Sequence, residues 1–179
     1  MRQSFKEFLN DWTKAIKSYI NPKHITIMYE QDSSIQITTC LDKYTDSVIK
    51  FNYELYKGEF DSLAQQGIFS DQYDIAEPIL KNCVVFLKDC IPFGFAEIEF
   101  KDYYNSPDTE ACVNSFYVSP EARGTGLADI AFSCIEKFVK YYYDANIITL
   151  EVFDHNVRAK KFYMFHGLQP VKVELSKKL

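Results

Sequence analysis

The chain has 179 residues, enough for one domain with a sizeable core, and its 47% hydrophobic and 25% charged residues are the balance of an ordinary globular protein. Its 20 Lys and Arg against 25 Asp and Glu leave a net charge of −5 with no basic run, which argues against a nucleic-acid partner. No stretch is apolar for long enough to span a membrane as a helix, so no membrane partner is expected.

The first expected element is an amphipathic helix over residues 1–20, where Phe5, Phe8, Leu9, Trp12, Ile16, Tyr19 and Ile20 recur at helical spacing. Asn21-Pro22 ends it, and two short β-type runs follow at Ile25–Tyr29 and Ile35–Thr39. Residues from about Asp46 to Gln66 are expected to be helical, with a break near Gly58. Segment 67–80 is irregular, polar and aromatic. Cys83–Lys88 and Phe93–Lys101 are expected strands joined by a tight turn at Asp89–Pro92, and Glu110–Val118 is the next strand after a turn at Tyr103–Asp108. Leu127, Ile130, Ala131, Cys134, Ile135, Phe138 and Tyr142 mark the most regular helix. A buried strand Ile147–Phe153, a helix Asn156–His166 and a closing strand Val171–Leu175 complete the chain. Without repeats, low-complexity tracts or a linker, this order describes one α/β (α+β) domain over 1–179 with a single mixed sheet.

The five cysteines, Cys40, Cys83, Cys90, Cys112 and Cys134, are odd in number and have neither a C-x-x-C pair nor metal-ligand spacing. The segment from Met1 to Glu7 leads into no signal-type apolar core. Reduced thiols in a cytoplasmic protein, and no metal, are the simplest expectation.

The chemistry concentrates in Val118-Ser119-Pro120-Glu121-Ala122-Arg123-Gly124-Thr125-Gly126-Leu127-Ala128, between a strand and the long helix. Glycines at a helix entry let backbone N–H groups surround an anion, and the helix dipole adds positive potential; Arg123 adds a donor. That is a pyrophosphate cradle. A P-loop is excluded because Leu127-Ala128 follow Gly126 where Lys-Ser/Thr is required. A dinucleotide fingerprint is excluded because Asp129 holds a position that needs Gly or Ala.

With Val118-x-Pro120 ahead of Arg123-Gly124-Thr125-Gly126-Leu127-Ala128, and a second block Asn156-x-x-Ala159-x-x-Phe162-Tyr163-x-x-x-Gly167-Leu168, the sequence resembles the GCN5-related N-acetyltransferase family. The resemblance is strong over about residues 80–179, the cofactor-binding half, and fades before it. It implies a mixed, largely antiparallel sheet of six to seven strands flanked by helices, and acetyl-coenzyme A as co-substrate. It implies that backbone groups of Phe116, Tyr117 and Val118 meet the pantetheine arm and thioester carbonyl. Amides of Arg123, Gly124, Thr125, Gly126, Leu127 and Ala128 hold the pyrophosphate, Asn156 contacts the cofactor, and the Tyr163 phenol protonates the departing thiolate. Asn156 is also a good N-cap in its own right.

Acetyl transfer to an amine also requires a group that takes the amine's proton. Related enzymes place a Glu on the strand before the glycine loop, and here that strand has Glu110 only at its start, with Cys112 and Asn114 inside. Glu97 and Glu99, two residues apart on the neighbouring strand, share a face and are open to three roles: base, cation clamp or solvated carboxylates. The expected site is therefore Tyr163, Glu97 and Glu110, acting on a small-molecule or peptide amine; Tyr53, Tyr56, Phe60, Phe69 and Tyr73 are candidates to line its pocket. His155 is a further candidate, while His24 and His166 carry no such placement. A non-catalytic acyl-CoA-binding module and an acetyltransferase acting on charged tRNA or a protein N-terminus remain the alternatives, and a homodimer through the opening helix is open.

Overall fold

A computed structural model describes residues 25–65, 75–76, 78, 80–102 and 108–175. The expected helix over 1–20 lies outside them, as do His24, Phe69, Tyr73 and most of the turn expected at Tyr103–Asp108. Among the described residues six strands form one sheet in chain order: β1 (Thr26–Tyr29), β2 (Asp32–Thr38), β3 (Cys83–Lys88), β4 (Ile91–Asp102), β5 (Thr109–Val118) and β6 (Ile147–Leu150). Every neighbouring pair is antiparallel except β5–β6, which is parallel. Among the described residues three α-helices, α1 (Thr45–Gln65), α2 (Leu127–Tyr143) and α3 (Val157–Phe165), accompany it.

The unbroken apolar run of β3 follows from burial on both faces. Alternate side chains take opposite sides: Val84 and Phe86 join Ala131, Cys134, Ile135 and Phe138 of α2. Cys83, Val85 and Leu87 join Val48 and Phe51 of α1, with Phe95 and Tyr117. A fully buried side chain such as Phe86 or Phe132 contributes about 1.5–3 kcal/mol by leaving water. The mixed sheet between helical layers is the architecture expected from the element order.

Several boundaries differ from expectation, and β2 already begins at Asp32 rather than Ile35, where Tyr29 pairs with it. The turn after β3 is only Asp89-Cys90, with φ of 51° and 63°, the pair of left-handed residues that a two-residue hairpin turn needs. β4 therefore begins at Ile91, and Pro92 lies opposite Leu87 where the register shifts, a bulge position that tolerates proline.

Helix α1 passes through Gly58 without a break. A Cβ at Gly58 meets nothing within 4 Å, so the glycine only weakens the helix. Gly58→Ala is expected to raise stability by about 0.5–1 kcal/mol, readable as a higher denaturation midpoint at unchanged slope.

Strand β6 stops at Leu150 rather than Phe153, because β5 pairs with it only from Glu110↔Ile147 to Val113↔Leu150. The closing strand expected at Val171–Leu175 does not form. Its alternation is real, but among the described residues no strand pairs with it, and Val171, Val173 and Leu175 are 76%, 81% and 90% exposed.

Candidate active site

Beyond Val113, β5 pairs only with β4, out to Gly94↔Val118, and a register shift at Asn114 begins this stretch. The last five residues of β5 thus leave an opening in the sheet on the β6 side, where no described strand pairs with them. Below it the glycine loop enters α2. Ser119 N–H donates to the Phe93 carbonyl (2.8 Å), and Pro120–Ala122 form one 3₁₀ turn. The Thr125 hydroxyl donates to the Ala122 carbonyl (2.7 Å) and closes the loop on itself. Gly124 (φ +77°) and Gly126 (φ +86°) hold left-handed conformations with open space where a Cβ would stand. Their backbone faces outward at the positive end of a 17-residue helix, and such an end suits a pyrophosphate. Gly126→Ala is expected to cost about 1–2 kcal/mol of stability through strain alone, since no neighbouring atom is crowded.

Arg123 offers its side chain rather than its amide. Its N–H closes the 3₁₀ turn on the Pro120 carbonyl (3.2 Å). Its Nε donates to the Val118 carbonyl (2.8 Å), and its guanidinium lies 5.4 Å from the centroid of the Tyr117 ring. The exposed guanidinium is thereby held at the cradle's rim.

Phe116 and Tyr117 point to opposite faces, as neighbours in a strand must. The Phe116 ring stacks on Phe162 (5.8 Å), meets Phe132 edge-on (5.6 Å), and has the Tyr163 ring 6.4 Å away. Tyr117 is buried against Phe51 of α1 (5.3 Å), and its hydroxyl donates to Glu54 Oε2 at 2.5 Å. Burial, then that carboxylate, push the Tyr117 phenol well above its ordinary range.

Helix α3 presents Tyr163. Asn156 caps it, its side chain accepting from Ala159 N–H at 3.1 Å. His166 at the other end contacts Asp129 Oδ1 in the first turn of α2 (3.1 Å) and packs on Phe132 (4.9 Å) and Phe162 (4.7 Å). It fixes α3 to the loop-bearing helix. Burial, and secondarily the charge of Glu59, push the Tyr163 phenol up to about 12, so it is protonated throughout the neutral range.

The two expected carboxylates fare differently. Glu97 is 8% exposed on the α1 face, in a row with Cys83 and Ser115. Burial, then the Glu97 charge, raise the Cys83 thiol to about 12. Glu110 is not brought to the opening. It accepts from the Thr149 hydroxyl and lies 3.7 Å from Lys101 Nζ, six residues and about 20 Å of strand before Phe116. Glu99 and Phe165 face solvent, and His155 stacks on Phe153 (5.6 Å).

Four residues outside the expected acid–base set complete the α1 side. The Tyr56 hydroxyl and Ser115 Oγ share a hydrogen bond of 3.1 Å, and Phe60 packs on Tyr56 (5.8 Å). Glu59 is half-buried, and burial raises its carboxyl above the ordinary range. The signal for it was the polar series Asn52, Tyr56 and Glu59, at i, i+4 and i+7 on a face otherwise carrying Val48, Phe51 and Leu63.

The Acetyltransferase (GNAT) family profile matches residues 49–168, two thirds of the chain. The chain belongs to the GNAT acetyltransferase family. A mutant of the BH1408 protein from Bacillus halodurans superposes with a TM-score of 0.65 at 18% identity, covering 81% of this chain and 98% of that one. An aminoglycoside acetyltransferase from an uncultured soil metagenomic sample, in complex with trehalose, gives 0.58 at 14% identity over 84% and 99%. The aminoglycoside N-acetyltransferase AAC(6')-Iy in complex with CoA gives 0.57 at 14% identity over 88% and 97%. No curated protein matches the sequence. At these identities the neighbours establish a GNAT fold, and the family makes acyl transfer the class of chemistry. Among the described residues no group of three or more potential ligands can hold a metal, and no helix is long and apolar enough to cross a membrane.

Proposed function

We propose that this protein transfers an acetyl group from acetyl-CoA to a primary amine of a small molecule or peptide, by direct attack within a ternary complex. The observation that carries the reading is the opening along Asn114–Val118, with the glycine cradle below it and the Tyr163 phenol beside Phe116. Acetyl-CoA supplies an activated thioester. The residues present fit its pyrophosphate: open left-handed glycines, a helix N-terminus and a fixed Arg123 guanidinium.

Tyr163 stays protonated and donates to the departing sulfur, while β5 main-chain groups orient the carbonyl. The acceptor enters from the α1 side, whose floor carries Tyr56, Ser115 and the buried Glu97. Acidic groups there favour a cationic acceptor over an anionic one. The loss of the amine's proton falls to this acidic side; Glu110, tied to Thr149 and Lys101, serves the sheet instead.

The test mixes protein, acetyl-CoA and polyamines, aminoglycosides, amino acids or lysine peptides, and follows free thiol. Release that requires both acetyl-CoA and an amine supports the reading. Release without an amine identifies a thioesterase, and donor binding without release across amine classes identifies a binding module.

A further inference from the structure

Helix α1 runs antiparallel to β5 across one face of the sheet: Phe51 stacks on Tyr117, and Tyr56, farther along the helix, bonds to Ser115. One turn beyond Tyr56, the inward stripe Asn52–Tyr56–Glu59 reaches the level of β5 at which its pairing with β6 ends. There no described strand continues the sheet beside β5, so no described strand stands between the α1 face and the α3 face. Tyr163 arrives from the α3 side, its ring 6.4 Å from that of Phe116. The Glu59 charge acts on the Tyr163 phenol across this gap. Higher on the stripe, Asn52 is 2% exposed and its Oδ1 has no hydrogen-bond partner among the described residues, so the stripe presents acceptors.

We propose that Glu59 is the carboxylate that receives the acceptor's alkylammonium group and takes its proton, opposite the phenol of Tyr163. The inference rests on the acetyl-transfer reading and assigns the base within it. The ammonium gives one proton to Glu59 Oε, which releases it to solvent. The neutral nitrogen forms the N–C bond to the thioester carbonyl carbon, and the C–S bond breaks as Tyr163 donates its proton to sulfur. The second proton, from the adduct nitrogen, restores the phenol. The titratable groups around Glu59 are Tyr163 on α3 and, on its own helix, Tyr56 with the exposed Lys57–Asp61 pair (2.7 Å); Glu97 on β4 lies opposite Ser115, the hydrogen-bond partner of Tyr56. Burial raises the Glu59 carboxyl, so it holds its proton to a higher pH than an ordinary glutamate, and activity rises as pH climbs through that raised value.

The experiment measures kcat/KM for n-butylamine from pH 6 to beyond the amine's own pKa, for the wild type, Glu59→Gln and Glu97→Gln. It also measures butylamine binding without acetyl-CoA by calorimetry, and CoA affinity as a check on fold. The wild type is expected to plateau across neutral pH. Glu59→Gln is expected to lose about 10²-fold at neutral pH, to rise with unit slope until the amine is itself neutral, and to approach the wild type there. Its butylamine affinity is expected to fall about tenfold, with CoA affinity retained. A wild-type-shaped profile in Glu59→Gln overturns the assignment, and the unit slope appearing in Glu97→Gln instead moves the base to Glu97. A wild type that binds CoA yet transfers no acetyl group to any amine overturns the acetyl-transfer reading itself.

Discussion

Tyr163→Phe is expected to lower turnover about 10²-fold, close to 2.7 kcal/mol of barrier, with acetyl-CoA affinity changed by less than about threefold. The ring's environment explains the second half of that statement. It packs against Phe116, Phe132 and Phe162, contacts a phenylalanine reproduces. Only the hydroxyl goes, and with it the donor to the leaving sulfur. The profile of kcat against pH carries a further consequence: with the phenol at about 12, no alkaline loss of activity belongs to Tyr163 below pH 10. Steady-state rates with donor saturation curves measure both. Unchanged turnover in Tyr163→Phe removes the phenol from the chemistry.

Gly94→Ala is expected to be the most damaging added methyl among the described glycines. A Cβ at Gly94 stands 2.3 Å from the Tyr117 carbonyl oxygen and 3.2 Å from Val118 Cα, both main-chain atoms of β5. A flexible side chain can swing away, but a strand held by its ladder cannot. Relief requires β4 and β5 to part where Gly94 faces Val118. We expect a loss of about 2–3 kcal/mol, in the upper range for overpacking, together with weakened CoA binding because Val118 also anchors Arg123. Chemical denaturation gives the first quantity and calorimetry the second. Gly58→Ala, the same change on an open helix face, serves as the control of opposite sign.

Most of the α2 and α3 region was legible in the sequence because local signals and global packing agree there. The apolar stripe from Leu127 to Phe138 reports a helix on a sheet, Asn156 caps where a cap was expected, and the glycine loop stands at the helix entry. Errors arose where tertiary pairing overrides local pattern. Gly58 suggests a break, yet α1 continues because Leu63 beyond it is buried. Val171–Leu175 alternates like a strand but finds no ladder, and Pro92 enters a strand at a bulge. The candidate base was the least legible part. Glu59 lies on a helix that local pattern marks only as amphipathic, and its meaning depends on Tyr163, 104 positions later, arriving at the same gap. Glu110 fits the family's habit by strand, but the Thr149 hydroxyl and Lys101 occupy it at the far end.

The central claim is that the opening beside β5, with its glycine cradle, is a coenzyme A site. Titrating CoA into the wild-type protein and into Gly126→Val by calorimetry tests it most directly. A Val side chain at φ +86° strains the loop and projects into the open space the cradle offers. The account predicts one CoA per chain for the wild type and at least about 30-fold weaker binding in a folded Gly126→Val. No binding by the wild type, or equal affinity in both, contradicts it.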